Sequence, residues 1–306
     1  MPADNPFVYG EIVPADAFVG RDNELRRLAG DLANGQKVFL ISPRRYGKSS
    51  LVRQTFHALA RQKITTLEFT VSSFSSYVAF LEGYARALVS LQTRAVQTRG
   101  WIRDLFSTAK PEVRPDSGGA GGMTLAFPAV RTPRDAARLA EEVFALPARL
   151  ADGLGRRLVI ALDEFQAIGS FNGGSVEQAL RAAVQQQRHV GYVFAGSEPT
   201  LMEQMIGPKR PFYKAGPVMR LQKIPAATRE QALDARERLD RRRATPVDID
   251  VLPDDPLHVR PHERGEGRDV DLSGSGAHAE VLEVRLRVPV GKPGHGTSSG
   301  VRPRRR

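Results

Sequence analysis

The chain has no cysteine among its 306 residues, one tryptophan, and an aromatic content of only 7%. Without thiols there are no disulfides and no thiolate metal sites, and the compartment expected is a reducing cytoplasm. Long apolar runs are missing as well, and nothing approaches the roughly 20 residues needed to cross a bilayer. The opening MPADNPFVYGEIVPADAFVG lacks a basic stretch followed by an apolar one, so we read the chain as neither secreted nor membrane-embedded. Its six histidines show no metal-ligand spacing, and no segment recurs with the period of a repeat protein. These absences exclude a disulfide scaffold, a thiolate zinc module and a solenoid.

Hydrophobic residues make up 41% of the chain, which is enough for at least one real core. The net charge is +11 and the isoelectric point about 10.3, which suggests a polyanionic partner such as DNA. Nine of the 37 arginines, however, lie in DARERLDRRR and the closing RPRRR, away from the segments that look folded. No stripe of interleaved aromatic and basic residues offers a stacking surface.

Periodicity organises the first three quarters of the chain. Leu25, Leu28 and Leu32 recur at helical spacing and Gly35 ends that helix, after which KVFLIS reads as a strand buried on both faces. Leu51, Val52, Phe56 and Leu59 then form the stripe of a second helix. KITTLEFTVS and SSYVAFLEGYARALVSLQTRAV repeat the strand-helix unit. Residues 107–131 interrupt it with two short β-like pieces separated by a glycine cluster, which predicts a hairpin insertion. A helix from Pro133 to Gly153, the strand run RRLVIALDEFQAI, a Gln-rich helix, the strand HVGYVFAGS and a last strand in PVMRLQKI complete the pattern. Alternation of this kind predicts an α/β fold, a doubly wound and mostly parallel sheet flanked by helices, over residues 1–227. Residues 228–306 change character to scattered Arg, Asp, Gly, Pro and His, and we expect a basic, low-complexity, disordered tail.

Between the first buried strand and its helix lies SPRRYGKSS, residues 42–50. It approximates the phosphate-binding pattern G-x-x-x-x-G-K-[ST], with Ser42 where glycine is usual. Backbone N–H groups from Pro43, Arg44, Arg45, Tyr46, Gly47 and Ser50 onward, excepting the proline nitrogen, are placed to surround phosphates at a helix N-terminus. Gly47 lets the backbone come close, Lys48 reaches the β and γ phosphates, and Ser49 offers a hydroxyl to Mg²⁺. The first glycine helps the chain turn out of the strand, and Ser42 followed by Pro43 can make that turn. The other reading is a chance Gly-Lys-Ser in a basic loop.

LVIALDEF ends a second buried strand with two acids. Asp163 is a candidate to hold the metal through a water, and Glu164 to polarise an attacking water. A solvated pair of acids at a strand end is the alternative. Ser197 closes another strand and would share the crevice at the strand ends, where it could sense the γ-phosphate, though capping the helix of EPTLMEQM explains it equally well. Arg210 in GPKRPFYKAG is the candidate charge-neutralising arginine, with a surface basic loop as the other reading.

Four blocks in order, NPFVYGEIVPADAFVGRDNELRRL, SPRRYGKSSLV, LVIALDEFQ and YVFAGSEPTLMEQM with RPFYKAG, resemble the archaeal-type P-loop ATPases of the AAA+ and STAND lineages over about residues 5 to 225. In that family the loop often reads Pro-Arg-Arg-x-Gly-Lys. The resemblance implies ATP and Mg²⁺ as ligands, Lys48 and Ser49 as their contacts, Asp163 and Glu164 as the acidic pair, and Ser197 as the sensor. It also places Phe18, Val19, Gly20 and Arg21 beside the adenine. It implies a protein partner and admits nucleotide-dependent self-association, with DNA as an alternative partner. Relatives continue into a helical lid and a winged-helix domain, and neither is recognisable here. We therefore expect residues 228–306 to be either a natural basic tail or the product of a reading-frame shift near codon 228.

Trypsin is expected to cut the tail within minutes and leave a core ending near residue 225, read by mass spectrometry of a digestion time course. Translation of the two other frames beyond codon 228 separates the two origins: helix and winged-helix patterns there mark a frameshift, and their absence marks a natural tail.

Overall fold

Residue 18 and residues 20–92, 99–115, 123–171 and 175–225 are described by a computed structural model. Val19 and the segment 226–306, and with it the expected tail, lie outside the described residues. Elements follow in the order α1 (Asp22–Ala33), β1 (Lys37–Ile41), α2 (Lys48–Ala60), β2 (Thr65–Thr70), α3 (Tyr77–Val89), α4 (Arg99–Asp104), β3 (Glu112–Pro115) and β4 (Met123–Ala126). They continue with α5 (Pro133–Leu154), β5 (Leu158–Asp163), α6 (Ser175–Gln186), β6 (Val190–Gly196), α7 (Pro199–Met205) and β7 (Val218–Arg220).

The strands that read as continuous apolar runs are those covered on both sides. Phe39, Ile41, Ile160, Leu162, Tyr192 and Phe194 pack with residues of α3, α5 and α6. Their neighbours Val38, Leu40, Val159, Ala161, Val193 and Ala195 pack with Leu28, Leu51 and Phe56 of α1 and α2. Two apolar faces on one strand leave no place for a polar alternation, and they require helices on both sides of the sheet. The resulting sheet has five parallel strands in the order β2-β5-β6-β1-β7. This is the doubly wound arrangement the alternation predicts.

Register brings the carboxyl ends of the central strands to one edge. Ile41 pairs with Gly196, and Thr70 pairs with Asp163. Because β6 separates β1 from β5, the loop after β1 and the acids after β5 flank the end of β6. Ligands of open α/β sheets bind at this edge.

The expected hairpin is present as an antiparallel pair, β3 with β4, in a sheet of its own. Two buried-side carboxylates hold it. Glu142 on α5 accepts from the Thr108 backbone N–H at 2.7 Å and from Ser107 at 3.1 Å, and Glu82 on α3 accepts from the Phe127 N–H at 2.8 Å. The helix α5 matches its sequence signals closely. Thr132 and Asp135 form a reciprocal capping box, Pro133 opens the first turn, and Gly155 closes the helix at φ +59°. The helix α3 is shorter than its apolar stripe suggests, beginning at Tyr77 because the Ser76 hydroxyl accepts from the Ala79 N–H. The short α4 carries no periodicity long enough to announce it. Among the described residues no helix is long and apolar enough to cross a membrane.

The helix α1 lies so close to β6 that a Cβ on Gly191 would stand 2.6 Å from the Leu32 carbonyl oxygen. Gly191→Ala is therefore expected to destabilise the domain by about 1–3 kcal/mol, as overpacking does. Thermal melting checks it, and an unchanged midpoint would show that α1 backs away without cost.

Candidate functional site

Ser42 explains how the loop leaves the sheet without the usual glycine. It is fully buried, its N–H donates to the Gly196 carbonyl at 3.2 Å, and its hydroxyl donates to the Pro43 carbonyl at 2.9 Å. The β1–β6 ladder is thus extended by one residue before the turn begins. Arg45 and Gly47 both adopt left-handed backbone, with φ of +67° and +83°. A Cβ at Gly47 would meet nothing within 4 Å, so glycine is suited here by conformation and not by space. Gly47 is also the N-cap of α2, whose first turn has neither a side-chain cap nor an acid. The N–H groups and the positive end of the helix dipole at Lys48, Ser49 and Ser50 are consequently suited to an anion. Pro43, Arg44 and Arg45 are exposed, Tyr46 and Ser49 half-buried, and Lys48 and Ser50 buried.

Across β6, Lys48 Nζ forms an ion pair with Asp163 Oδ1 and lies 3.6 Å from Glu164 Oε1. The Glu164 N–H donates to Asp163 Oδ1 at 2.9 Å. Glu164 has left-handed backbone with φ of +50°, a conformation that costs a non-glycine residue free energy and recurs at functional sites. Its Oε2 accepts from the Ser197 hydroxyl at 2.7 Å and from Gln166 Nε2 at 2.6 Å. Burial pushes the Glu164 carboxyl up, but the hydrogen bonds from Ser197 and Gln166 and the Lys48 charge outweigh it and hold the group below its ordinary value. The helix α7 is capped by Glu198 without a side-chain bond, so the Ser197 hydroxyl serves Glu164 and not the helix. Gln166 was not singled out by the sequence reading. The available signal was an amide two residues beyond Glu164, at the start of a 3₁₀ turn over Phe165–Ser170.

A cleft of about 820 Å³ opens beside Glu164, with Arg44, Gln166, Glu177, Glu198 and Arg210 also on its wall. Arg210 reaches this cleft, yet its guanidinium is engaged: Nη2 donates to Glu177 Oε1 at 2.7 Å. Glu177 is fully buried on α6. Burial raises its carboxyl above the ordinary value, and the Arg210 charge and hydrogen bond oppose that rise. Nothing in sequence marked Glu177, because an acid on a Gln-rich helix reads as solvated.

Phe18 packs against the core under α1, and Gly20 turns the chain with φ of +73°. Arg21 is buried, and its guanidinium contacts Glu24, the Tyr46 carbonyl and the Gln222 carbonyl. Among the described residues no group of three or more His, Asp or Glu side chains is placed to hold a metal. The donor set of Ser49 and Asp163 suits Mg²⁺, which keeps several waters and leans on phosphate oxygens instead of an all-protein cage.

Neither the protein-family models nor the curated proteins give a match to this sequence. Solved structures do. The Walker-type ATPase of Pyrococcus abyssi is similar with a TM-score of 0.50 at 17% identity, covering 78% of this chain and 63% of that one. The Aeropyrum pernix Orc1 protein in complex with DNA gives a TM-score of 0.47 at 15% identity, covering 74% and 52%. The Orc2 protein of the same organism, in its ADPNP-ADP complexes, gives 0.45 at 15%, covering 76% and 55%. The chain thus spans less than two thirds of the length of these proteins. The strand order, the loop between β1 and α2 and the acids at the end of β5 agree with the first of these likenesses, and the chain has a P-loop NTPase fold.

Proposed function

We propose that the chain binds Mg·ATP at the loop between β1 and α2, hydrolyses it slowly, and uses the nucleotide state as a switch for a protein partner. The observation that carries this reading is the meeting of Lys48 with Asp163 and Glu164 across β6. A phosphate-binding lysine, a metal-holding acid and a water-polarising acid come from two separate loops, and only the fold unites them. The uncapped start of α2 and the Lys48 ammonium bind the β and γ phosphates. Ser49, together with Asp163 through water, would hold Mg²⁺, which supplies charge neutralisation on the phosphate oxygens when bound. Glu164 accepts a proton from the attacking water, and Ser197 and Gln166 fix the direction of its carboxylate. Arg210 stands on the same cleft wall and supplies positive charge there, restrained by Glu177.

Other chemistries fit less well. No Asn-Lys-x-Asp motif for reading guanine occurs in the sequence. A small-molecule kinase shares the loop, but adjacent Asp163 and Glu164 suit activation of water better than transfer to a bound hydroxyl. A second reading, a DNA-associated module that uses ATP for assembly alone, is favoured by the net charge of +11. A filter-binding titration decides it: a steep salt slope with duplex DNA, together with bound but unhydrolysed ATP, selects the module.

Lys48→Ala is expected to abolish tight Mg·ATP binding in a calorimetric titration, since it removes the side-chain cation directed at the phosphates. Undiminished affinity would sink the assignment of the loop. Glu164→Gln spares the metal-side acid and removes the water-polarising carboxylate. Binding is expected to survive while turnover falls by at least about 10²-fold. A variant that hydrolyses ATP like the parent would show that Glu164 is not the base.

A further inference from the structure

The Arg21 side chain joins three parts of the chain that are far apart in sequence. It is only 4% exposed. Nη1 pairs with Glu24 Oε1 at 2.8 Å, while Nη2 alone donates to two backbone carbonyls, Tyr46 at 3.0 Å and Gln222 at 2.5 Å. Its Nε is buried and has no hydrogen-bond partner among the described residues. The orientation of the guanidinium is therefore set by the carboxylate and the two carbonyls, at the expense of the Nε donor.

Both carbonyls lie where the backbone has little else to hold it. Tyr46 stands between the left-handed residues Arg45 and Gly47, within the phosphate loop. Gln222 follows β7, a three-residue strand at the edge of the sheet, and is itself exposed. Along the described chain, the Leu221 N–H to the Ile41 carbonyl at 2.9 Å is the last backbone hydrogen bond. The Arg21 contact is one residue further on. The chain continues in sequence from here to residue 306.

We propose that Arg21 is a positioning residue that couples the phosphate loop to the chain leaving the sheet, so that a nucleoside triphosphate on the loop alters how firmly residues 221–225 are held. The coupling rests on the nucleotide-binding reading and adds to it the route by which the occupied loop acts on the C-terminal part of the chain. A shared nitrogen makes the two carbonyls interdependent. When the loop tightens around phosphates the Tyr46 carbonyl moves, and Nη2 keeps its bond to Gln222 only where both acceptors stay in reach. An arginine that merely fills the core beneath α1 would stabilise both regions without linking their responses.

Hydrogen-deuterium exchange on the full chain tests this, with and without Mg·ATP raised until the signal at residues 42–50 saturates. In the parent, ATP is expected to change exchange at residues 42–50 and at 221–225, the latter by at least about 5-fold, the lower end of typical coupling between sites. In Arg21→Lys, with Mg·ATP again raised until residues 42–50 saturate, whatever concentration that takes, the response at 221–225 is lost, because an ammonium cannot span Glu24 and both carbonyls. Glu24→Gln keeps the guanidinium, removes the ion pair that orients it, and is expected to at least halve the response at 221–225; it stands in where Arg21→Lys fails to fold. A parent that responds at 42–50 alone overturns the coupling, as does either variant responding like the parent. A parent with no response at 42–50 overturns the nucleotide reading itself, and the coupling falls with it.

Discussion

The position of β6 between β1 and β5 is the constraint on which the site depends. Three strands buried on both faces run parallel and in register, so their carboxyl ends stop at one line. The loop leaves from one side of β6 and the acids from the other. Lys48 meets Asp163 because of that spacing, and Ser197, at the end of β6 itself, is delivered to Glu164. Neither contact depends on the local conformation of a single loop. The apolar core enforces them, which is why residues 115 positions apart can be held to one geometry.

Electrostatics then divides the acids. Asp163 is taken up by Lys48 and by the Glu164 N–H, whereas Glu164 receives two neutral donors and only a more distant ammonium. Two adjacent carboxylates thereby acquire different surroundings, the condition under which neighbouring acids take separate roles. Elsewhere on the cleft lining the pairing is reversed in burial: Glu177 is buried, and its partner Arg210 is 45% exposed. Burying the acid and leaving the cation half free keeps positive charge at the cleft surface.

Much of this was legible in the sequence because the physics that sets it is local. Buried strands announce themselves as apolar runs, and the phosphate loop as Gly-Lys-Ser between a strand and a helix. The order of the strands was not legible, since the insertion of β6 between β1 and β5 is decided by packing of helices onto both faces. Partnerships set by tertiary approach were hidden too. Gln166 and Glu177 are ordinary polar residues until Glu164 and Arg210 are brought to them. A contact made to the backbone carbonyl of Gln222 leaves no trace in residue identity at all. Ser197 was open between two roles, and only the presence of Glu198 at the helix start assigned its hydroxyl.

The hairpin of β3 and β4 is fastened at both ends, by Glu142 of α5 to the segment entering it and by Glu82 of α3 to the residue leaving it. The helices α3 and α5 are also packed on one another and on the same apolar layer that supports β5 and β6. A load applied to the hairpin is consequently borne by the helical layer and not absorbed by slack connecting chain. Mechanically the insertion is part of the frame, fixed to the helical layer on one face of the sheet.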